Sequence, residues 1–73
     1  MATQSPKDWI TLVGETAGLI WRTLDSHGSM SMTKLIKTAG QPRDVVMQSL
    51  GWLAREDKIS VKENGKNREV ALR

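Results

Sequence analysis

The chain has 73 residues, which is the length of one small domain. Apolar residues make up 38% of it before glycine is counted, so disorder is excluded as its main state. A domain of this size buries only about 60% of the surface of its unfolded chain, which argues against an enzyme with a deep active site. The chain has no cysteine, so no disulfide or zinc–thiolate site stabilises it.

The net charge of +3 is distributed unevenly along the chain. Residues 1–30 contain two Lys or Arg against three Asp or Glu, whereas residues 31–73 contain nine Lys or Arg against five Asp or Glu. The second part therefore carries +4 and the first part −1. Such an excess favours a polyanionic partner on that part of the molecule, although many proteins carry a similar excess without one.

The sequence contains few candidate catalytic or metal-binding residues. The one histidine, His27, precedes Gly28 in a predicted turn, and one histidine without cysteine cannot form a zinc site of the usual kind. The sequence has no nucleophile elbow or phosphate-binding glycine loop, and no apolar run approaches the ~20 residues of a membrane helix. Its N-terminus lacks the apolar core of a signal peptide. We therefore expect a cytoplasmic, non-enzymatic protein with no cofactor, metal, small-molecule ligand or membrane contact.

The first predicted element is a long helix. Residues 1–7 are polar and predict a flexible tail, after which Asp8 is a suitable N-cap for a helix over Trp9–Asp25. Apolar residues recur every three or four positions and form one stripe: Trp9, Val13, Ala17, Ile20 and Leu24. Gly28 is expected in the left-handed conformation that ends a helix.

A short strand and a second helix are predicted next. Polar and apolar residues alternate over residues 29–32, which predicts a very short strand over Met30–Met32. Thr33 is the predicted N-cap of a helix over residues 34–39, and Gly40 is expected to end that helix.

A third helix is predicted from Pro42 to about Glu56. Proline is favoured at the first helical position, and Asp44 lies near the positive end of the helix dipole. The residues expected on its buried side follow helical spacing: Val46, Leu50, Leu53 and Ala54.

A hairpin completes the chain. Residues 59–62 alternate as a half-buried strand does, residues 63–67 contain the hairpin signal Asn-Gly, and residues 68–72 form the return strand. The order of elements predicts an α+β winged helix-turn-helix domain over residues 8–73, with three helices and a three-stranded antiparallel sheet. Other small folds with three helices and a terminal hairpin are the alternative.

Two segments carry a family resemblance. Leu50–Ile59 reads LGWLAREDKI and Gly18–Leu24 reads GLIWRTL; together they resemble short bacterial winged helix-turn-helix proteins classified only as a domain of unknown function. The resemblance covers roughly residues 8–72, and its GWLARE run is fairly specific. It implies a winged-helix fold, no known enzymatic activity and an inferred DNA-binding role. It assigns no binding residue in the hairpin.

The candidate DNA-binding residues follow from that fold. The third helix would enter the major groove, where Gln48 could pair with adenine and Arg43, with Met47 beside it, could contact guanine or a phosphate. Cations on the second helix and the hairpin are the predicted phosphate contacts: Lys34, Lys37, Lys62, Lys66 and Arg68. The alternative for each residue is a solvated polar surface, and acidic residues on the same elements weaken the DNA interpretation: Asp44, Glu56, Glu63 and Glu69.

Two neighbouring residues of the third helix need a separate explanation. Gly51 costs about 1 kcal/mol relative to alanine inside a helix, so we expect another group to approach its backbone closely. That group could be DNA, the first helix or a partner subunit, and packing against the adjacent Trp52 is the simplest account. Trp52 itself is expected to pack into the core near the wing rather than to stack on a base.

The apolar face of the first helix is wider than the ~100° stripe of a helix in a two-layer domain. We expect the surplus at Trp9, Leu12 and Leu19 to form an exposed patch and a homodimer interface. The alternative is a central helix that contacts other elements on three sides. The leading function is DNA binding by a small transcriptional or nucleoid regulator, and the alternative is a winged helix used for protein association or dimerisation without DNA.

Overall fold

A computed structural model describes residues 8–73, so the predicted tail over residues 1–7 lies outside the described part of the chain. The elements follow in the predicted order: α1 Trp9–His27, β1 Met30–Ser31, α2 Met32–Ala39, α3 Arg43–Arg55, β2 Ile59–Asn64 and β3 Asn67–Leu72. Three helices and a three-stranded antiparallel sheet confirm the predicted α+β winged-helix architecture.

A local hydrogen bond lies at each end of helix α1. The Asp8 carboxylate accepts a hydrogen bond from the Thr11 backbone N–H at 2.8 Å, which satisfies a donor that has no partner within the helix. The helix continues two residues beyond the predicted end and stops at Gly28, whose backbone N–H donates to the Leu24 carbonyl. Gly28 has φ 80° and ψ −162°, so the predicted left-handed helical conformation is wrong there, although the positive φ still favours glycine.

Helix α2 begins earlier than the sequence predicted. Ser31, not Thr33, is its N-cap, since the Ser31 hydroxyl accepts from the Lys34 backbone N–H at 3.2 Å. Met32 is consequently helical, and β1 is shortened to Met30–Ser31. Ser31 has extended backbone angles, so one residue can both end the strand and cap the helix. Gly40 ends α2 in the left-handed conformation, as predicted.

Helix α3 starts one residue later than predicted, because Pro42 is its N-cap and not its first helical residue. Its buried side is formed by Val45, Val46, Ser49, Leu50 and Leu53. Ala54 is exposed, so its predicted place in the buried stripe is wrong.

The sheet has the strand order β1-β3-β2, with β3 in the centre. Met30 pairs with Val70 across β1 and β3, and Val61 pairs with Val70 across the hairpin. The hairpin turn is tighter than predicted, since strand pairing continues to Asn64 opposite Asn67. Gly65, with φ of 66°, supplies the positive φ that such a two-residue connection needs.

The core lies where α1, α2 and α3 meet the sheet. Its most completely buried side chains come from the three helices and the central strand: Ile20, Leu24, Leu35, Val45, Val46 and Val70. Ser49 is buried among them, and its hydroxyl lies 3.0 Å from the Val13 carbonyl and 2.8 Å from the Val45 carbonyl. The hydroxyl therefore links α3 to α1.

The N-cap of α1 generates a prediction about pH. The hydrogen bonds from Thr11, the backbone bond first, hold the pKa of Asp8 below its usual value of 3.8. A carboxylate with a lowered folded pKa stabilises the fold above its unfolded pKa, and this contribution is lost as the pH falls through the folded pKa.

Replacing Asp8→Asn keeps the capping oxygen but removes the ionisation. The unfolding midpoint of the unchanged protein should therefore fall further than that of the variant between about pH 5 and about pH 2. Thermal unfolding followed by circular dichroism measures both profiles, and identical profiles would contradict the assigned role of Asp8.

Candidate nucleic-acid interface

All residues predicted to contact nucleic acid are exposed: Lys34, Lys37, Arg43, Met47, Gln48, Lys62, Lys66 and Arg68. They do not form one uniform surface. The fold places them in three regions, which are helix α2, the exposed side of α3 and the hairpin. The charge environment differs between these regions, and that difference separates the stronger candidates from the weaker ones.

The strongest group lies in the helix-turn-helix itself. Lys34 and Lys37 are three residues apart in α2 and therefore share one side of that helix. Arg43 is the first residue of α3, across the turn from α2. Among residues 8–73, none of these three cations has a carboxylate within ion-pair distance. Their charge is thus available to an anion from outside.

The nearest acid in sequence is Asp44, which follows Arg43. Its carboxylate accepts a hydrogen bond from the Val45 backbone N–H at 2.9 Å, in the first turn of α3. A negative side chain at this end of a helix is stabilised by the helix dipole. Asp44 is therefore engaged with the backbone of α3 and does not form an ion pair with Arg43.

The exposed side of α3 includes residues with a small side chain or none. Met47 is 39% exposed, and Ala54 and Gly51 on the same side are also exposed. A Cβ built at Gly51 meets nothing within 4 Å outside its chain neighbours and the backbone of its own helix, so the expectation that α1 closely approaches this backbone is wrong. This side of the helix is open to an external partner.

Gln48 is less free than the sequence suggested. Its side-chain oxygen accepts a hydrogen bond from the Trp9 indole N–H at 3.0 Å. Bidentate pairing with adenine uses both the oxygen and the nitrogen of a glutamine amide. Gln48 would have to share its oxygen with Trp9 or break that bond, which makes it a weaker candidate for base recognition.

The charge of the hairpin is partly compensated. Arg68 lies 3.7 Å from the Glu63 carboxylate. Lys62 is the register partner of Glu69, but no ion pair joins them, and the Glu69 carboxylate accepts a hydrogen bond from the Ser29 hydroxyl at 3.0 Å. Lys62 and Lys66 have no carboxylate within ion-pair distance in the described part of the chain, so they are the wing cations best suited to contact a phosphate.

Cations that follow α3 are also compensated. Lys58 lies 3.5 Å from Glu56, and the Arg73 guanidinium donates to the Asp57 carboxylate at 2.8 Å. Within residues 31–73, the cations without an ion pair are Lys34, Lys37 and Arg43 in the helix-turn-helix, Arg55 at the end of α3, and Lys62 and Lys66 in the hairpin.

Trp52 does not pack into the core as predicted. It is 40% exposed and lies at the edge of α3 towards α1, because Val45 and Ser49 occupy the inward positions. It lines a cleft between the two helices, which we call the α1–α3 groove. The groove has a volume of about 470 Å³ and is lined by Gly14, Ala17, Gly18, Trp21, Arg22, Trp52, Leu53, Glu56 and Lys58.

Past Trp52 the α1–α3 groove continues into a second cleft of about 350 Å³ beside Ile10 and Arg55. Ile10 is 64% exposed and Trp21 is 39% exposed. Neither residue was among the predicted interface residues. Their positions, eleven residues apart, place both on nearly the same side of a helix, which is the signal that could have identified this surface.

The predicted dimer residues lie elsewhere on α1. Leu12 and Leu19 are partly buried, not exposed, and line a shallow cleft with Gln41. Trp9 is 44% exposed and donates its indole N–H to Gln48. The exposed apolar surface of α1 is therefore formed by Trp9, Ile10 and Trp21, and the expectation of exposure at Leu12 and Leu19 is wrong.

These elements define the class of the protein. A helix-turn-helix formed by α2 and α3, followed by a β-hairpin that pairs with a short strand, is a winged helix-turn-helix domain. The chain belongs to the winged helix-turn-helix domain family DUF2582, whose model matches residues 5–72. This confirms the family resemblance found in the sequence.

The chain is also similar to an archaeal protein. The chain is 38% identical over 64 residues to the uncharacterized protein MJ1608 of Methanocaldococcus jannaschii, and the alignment covers 84% of this chain and 90% of that protein. The relative is archaeal, whereas the sequence resemblance pointed to bacterial proteins. A bacterial source is therefore not confirmed by the comparison.

Two further properties concern the described residues alone. None of the helices within residues 8–73 is both long enough and apolar enough to cross a bilayer. Over the same range there is no group of three or more His, Cys, Asp or Glu side chains that could hold a metal ion.

The open position at Gly51 predicts a gain in stability. Replacing Gly51→Ala adds a Cβ that meets nothing within 4 Å. The higher helix propensity of alanine should therefore be the main effect of this substitution on stability. The free energy of unfolding should rise by about 1 kcal/mol, as measured by urea denaturation at equilibrium. A loss of stability would show that the backbone at Gly51 is not open.

Proposed function

We propose that this protein binds double-stranded DNA through its helix-turn-helix, and that it is a regulatory and not a catalytic protein. One observation carries the proposal: Lys34 and Lys37 share one side of α2, Arg43 begins α3, and none of the three has a carboxylate within ion-pair distance among the described residues. Other cations of the same half, such as Lys58 and Arg73, are ion-paired. Free cations at one site favour a polyanion because each bound phosphate releases condensed counterions.

The proposed docking follows the geometry of the class. Helix α3 enters the major groove, and Lys34 and Lys37 on α2 contact the phosphates beside it. Arg43 at the start of α3 contacts a phosphate through its side chain, since the Asp44 carboxylate already occupies the N-terminus of the helix. Lys66 at the hairpin tip reaches a further phosphate.

Base recognition is proposed to be modest. Gly51 has no side chain, so the exposed side of α3 can approach the base edges closely at this position. Met47 can make an apolar contact with a thymine methyl group, and Asp44 can accept from a cytosine amino group. Because Gln48 is held by Trp9, the contacts that position the protein on phosphates outnumber those that read sequence.

DNA as the partner implies two further properties. We infer that the protein is cytoplasmic, where DNA is accessible in a prokaryotic cell, and that it acts by binding DNA without catalysing a reaction. The side chains proposed to contact DNA are cations, one thioether, one amide and the Asp44 carboxylate, which accepts a hydrogen bond from the Val45 backbone N–H; none of them is a serine, cysteine or histidine. A second candidate function, protein association, is favoured by the α1–α3 groove.

The salt dependence of binding tests the DNA proposal. For the unchanged protein, the logarithm of the binding constant for a short duplex should fall linearly with the logarithm of salt concentration, by about 0.9 for each phosphate contacted. The double change Lys34→Ala with Lys37→Ala should reduce that slope by about 2 and weaken binding at low salt by at least about tenfold. Fluorescence anisotropy with a labelled duplex measures both quantities.

The matched control removes the same amount of charge from ion-paired positions. Lys58→Ala with Arg73→Ala leaves α2 and the start of α3 unchanged, so the slope should stay close to that of the unchanged protein. Equal slopes for both double variants would mean that binding reflects net charge and not this site. Absence of salt-dependent binding by the unchanged protein would exclude the proposed function.

A further inference from the structure

The α1–α3 groove lies outside the proposed DNA contacts. Successive residues of a helix are rotated by about 100°, so the side of α3 at Trp52 points well away from the side at Gly51. The groove volume of about 470 Å³ lies within the range of about 300–1,000 Å³ that is typical of small-molecule sites. A specific protein interface takes about 20–30 residues from each partner, so protein association would have to extend well beyond the groove. The size of the groove itself favours a small ligand.

Two tryptophans line the groove. Trp21 comes from α1 and Trp52 from α3, and both indoles are partly exposed. Ala17 and Leu53 also line it, and because both are buried they close the groove towards the core. Aromatic rings pair favourably with one another in offset-stacked and edge-to-face arrangements. The groove is therefore suited to a planar aromatic group.

Glycine keeps the α1 wall of the groove open. A Cβ at Gly14 would meet nothing within 4 Å, and one at Gly18 would meet the end of the Arg22 side chain at 3.5 Å. The fold does not require glycine at either position, although glycine weakens a helix. Space that two side chains would fill is thus left to a group from outside the chain.

An unpaired cation lies over this wall. The Nη1 atom of Arg22 is the group that lies 3.5 Å from the Cβ position of Gly18, so the guanidinium turns back along α1 into the groove. Arg22 has no carboxylate within ion-pair distance in residues 8–73, and this includes Asp25 one turn further along α1. Glu56 also lines the groove, but its carboxylate lies 3.5 Å from the Lys58 ammonium. The uncompensated charge of the groove is therefore positive.

We propose that the α1–α3 groove binds a small planar aromatic carboxylate, with its ring between Trp21 and Trp52 and its carboxylate on Arg22. A guanidinium can donate two parallel hydrogen bonds to a carboxylate. One unpaired cation matches one negative charge, whereas the second charge of a phosphate would lack a partner in an apolar groove. The sequence predicted no small-molecule ligand, because the residues of this site come from two helices that are distant in the chain.

Three small probes separate the ring from the charge. The unchanged protein is titrated without DNA, by isothermal titration calorimetry, with 2-naphthoate, with neutral 2-naphthamide and with cyclohexanecarboxylate, which has the charge but no aromatic ring. The dissociation constant for 2-naphthoate should be about 1 mM or lower. The other two probes should bind at least about tenfold more weakly, because each lacks one of the two interactions.

A charge substitution tests the role of Arg22. Arg22→Gln should raise the dissociation constant of 2-naphthoate at least about tenfold and leave that of 2-naphthamide unchanged. The matched control is Arg68→Gln, which removes the same charge from an exposed position in the hairpin that does not line the groove. Binding of both probes should be unchanged in the control.

Glycine substitutions test the location of the ring. Gly14→Leu places a side chain in the groove, so it should weaken 2-naphthoate at least about tenfold. Gly51→Leu places the same side chain on the other exposed side of α3 and should have no effect on this probe. Leucine favours a helix more than glycine does, and circular dichroism verifies that both variants keep the helical content of the unchanged protein.

The tryptophan side chains provide an internal control. In proton NMR spectra, 2-naphthoate should shift the indole N–H signals of Trp21 and Trp52. It should leave the signal of Trp9 unchanged, since Trp9 is exposed to a similar degree but does not line the groove.

Four results would overturn the proposal. They are no binding of 2-naphthoate at about 1 mM, similar shifts of all three indole signals, equal effects of Arg22→Gln and Arg68→Gln, and equal effects of Gly14→Leu and Gly51→Leu. Equal affinity for 2-naphthoate and 2-naphthamide would also overturn it and would indicate a purely apolar surface of the kind that binds a protein. These measurements contain no DNA, so their failure is distinguishable from failure of the proposed function.

Discussion

The contact of α3 with α1 at Ser49 determines where both exposed sides of α3 point. Ser49 is fully buried, and its hydroxyl lies within hydrogen-bond distance of the Val13 and Val45 carbonyls. A small side chain here lets the two helices pack closely, and the hydroxyl is satisfied in an apolar environment. A second bond, from the Trp9 indole to Gln48, lies one residue earlier in α3 and supports the same orientation. Gly51 is thereby directed outward and Trp52 towards α1.

Ion pairing then decides which of the exposed cations can act on a partner. The hairpin and the segment after α3 place acids beside their basic residues, as at Arg68 with Glu63 and at Arg73 with Asp57. Pairs that are this exposed contribute little to stability, but they reduce the local positive potential. The helix-turn-helix lacks such pairing at Lys34, Lys37 and Arg43. The helix-turn-helix therefore carries three cations whose positive potential no ion pair reduces.

The sequence was sufficient for the elements and their order because the signals were local. Glycines, the N-cap Asp8 and the alternation of the strands each act within a few residues, so their effect does not depend on the rest of the fold. The site was less predictable. Trp52 is apolar and lies next to the buried Leu53, yet its exposure depends on how far α1 extends over α3. The hydrogen bond between Gln48 and Trp9 joins residues 39 positions apart, so the spacing of apolar residues within either helix does not predict it.

The number of unpaired cations limits how tightly the proposed DNA site can bind. The helix-turn-helix offers Lys34, Lys37 and Arg43, and the wing adds Lys62 and Lys66. Each phosphate contact releases condensed counterions, so a site with few contacts binds weakly, whereas a protein with about six to ten contacts binds more tightly at low salt and loses more affinity as the salt concentration rises. One copy of this domain is therefore expected to bind DNA weakly and with little sequence selectivity, because its phosphate contacts outnumber its base contacts.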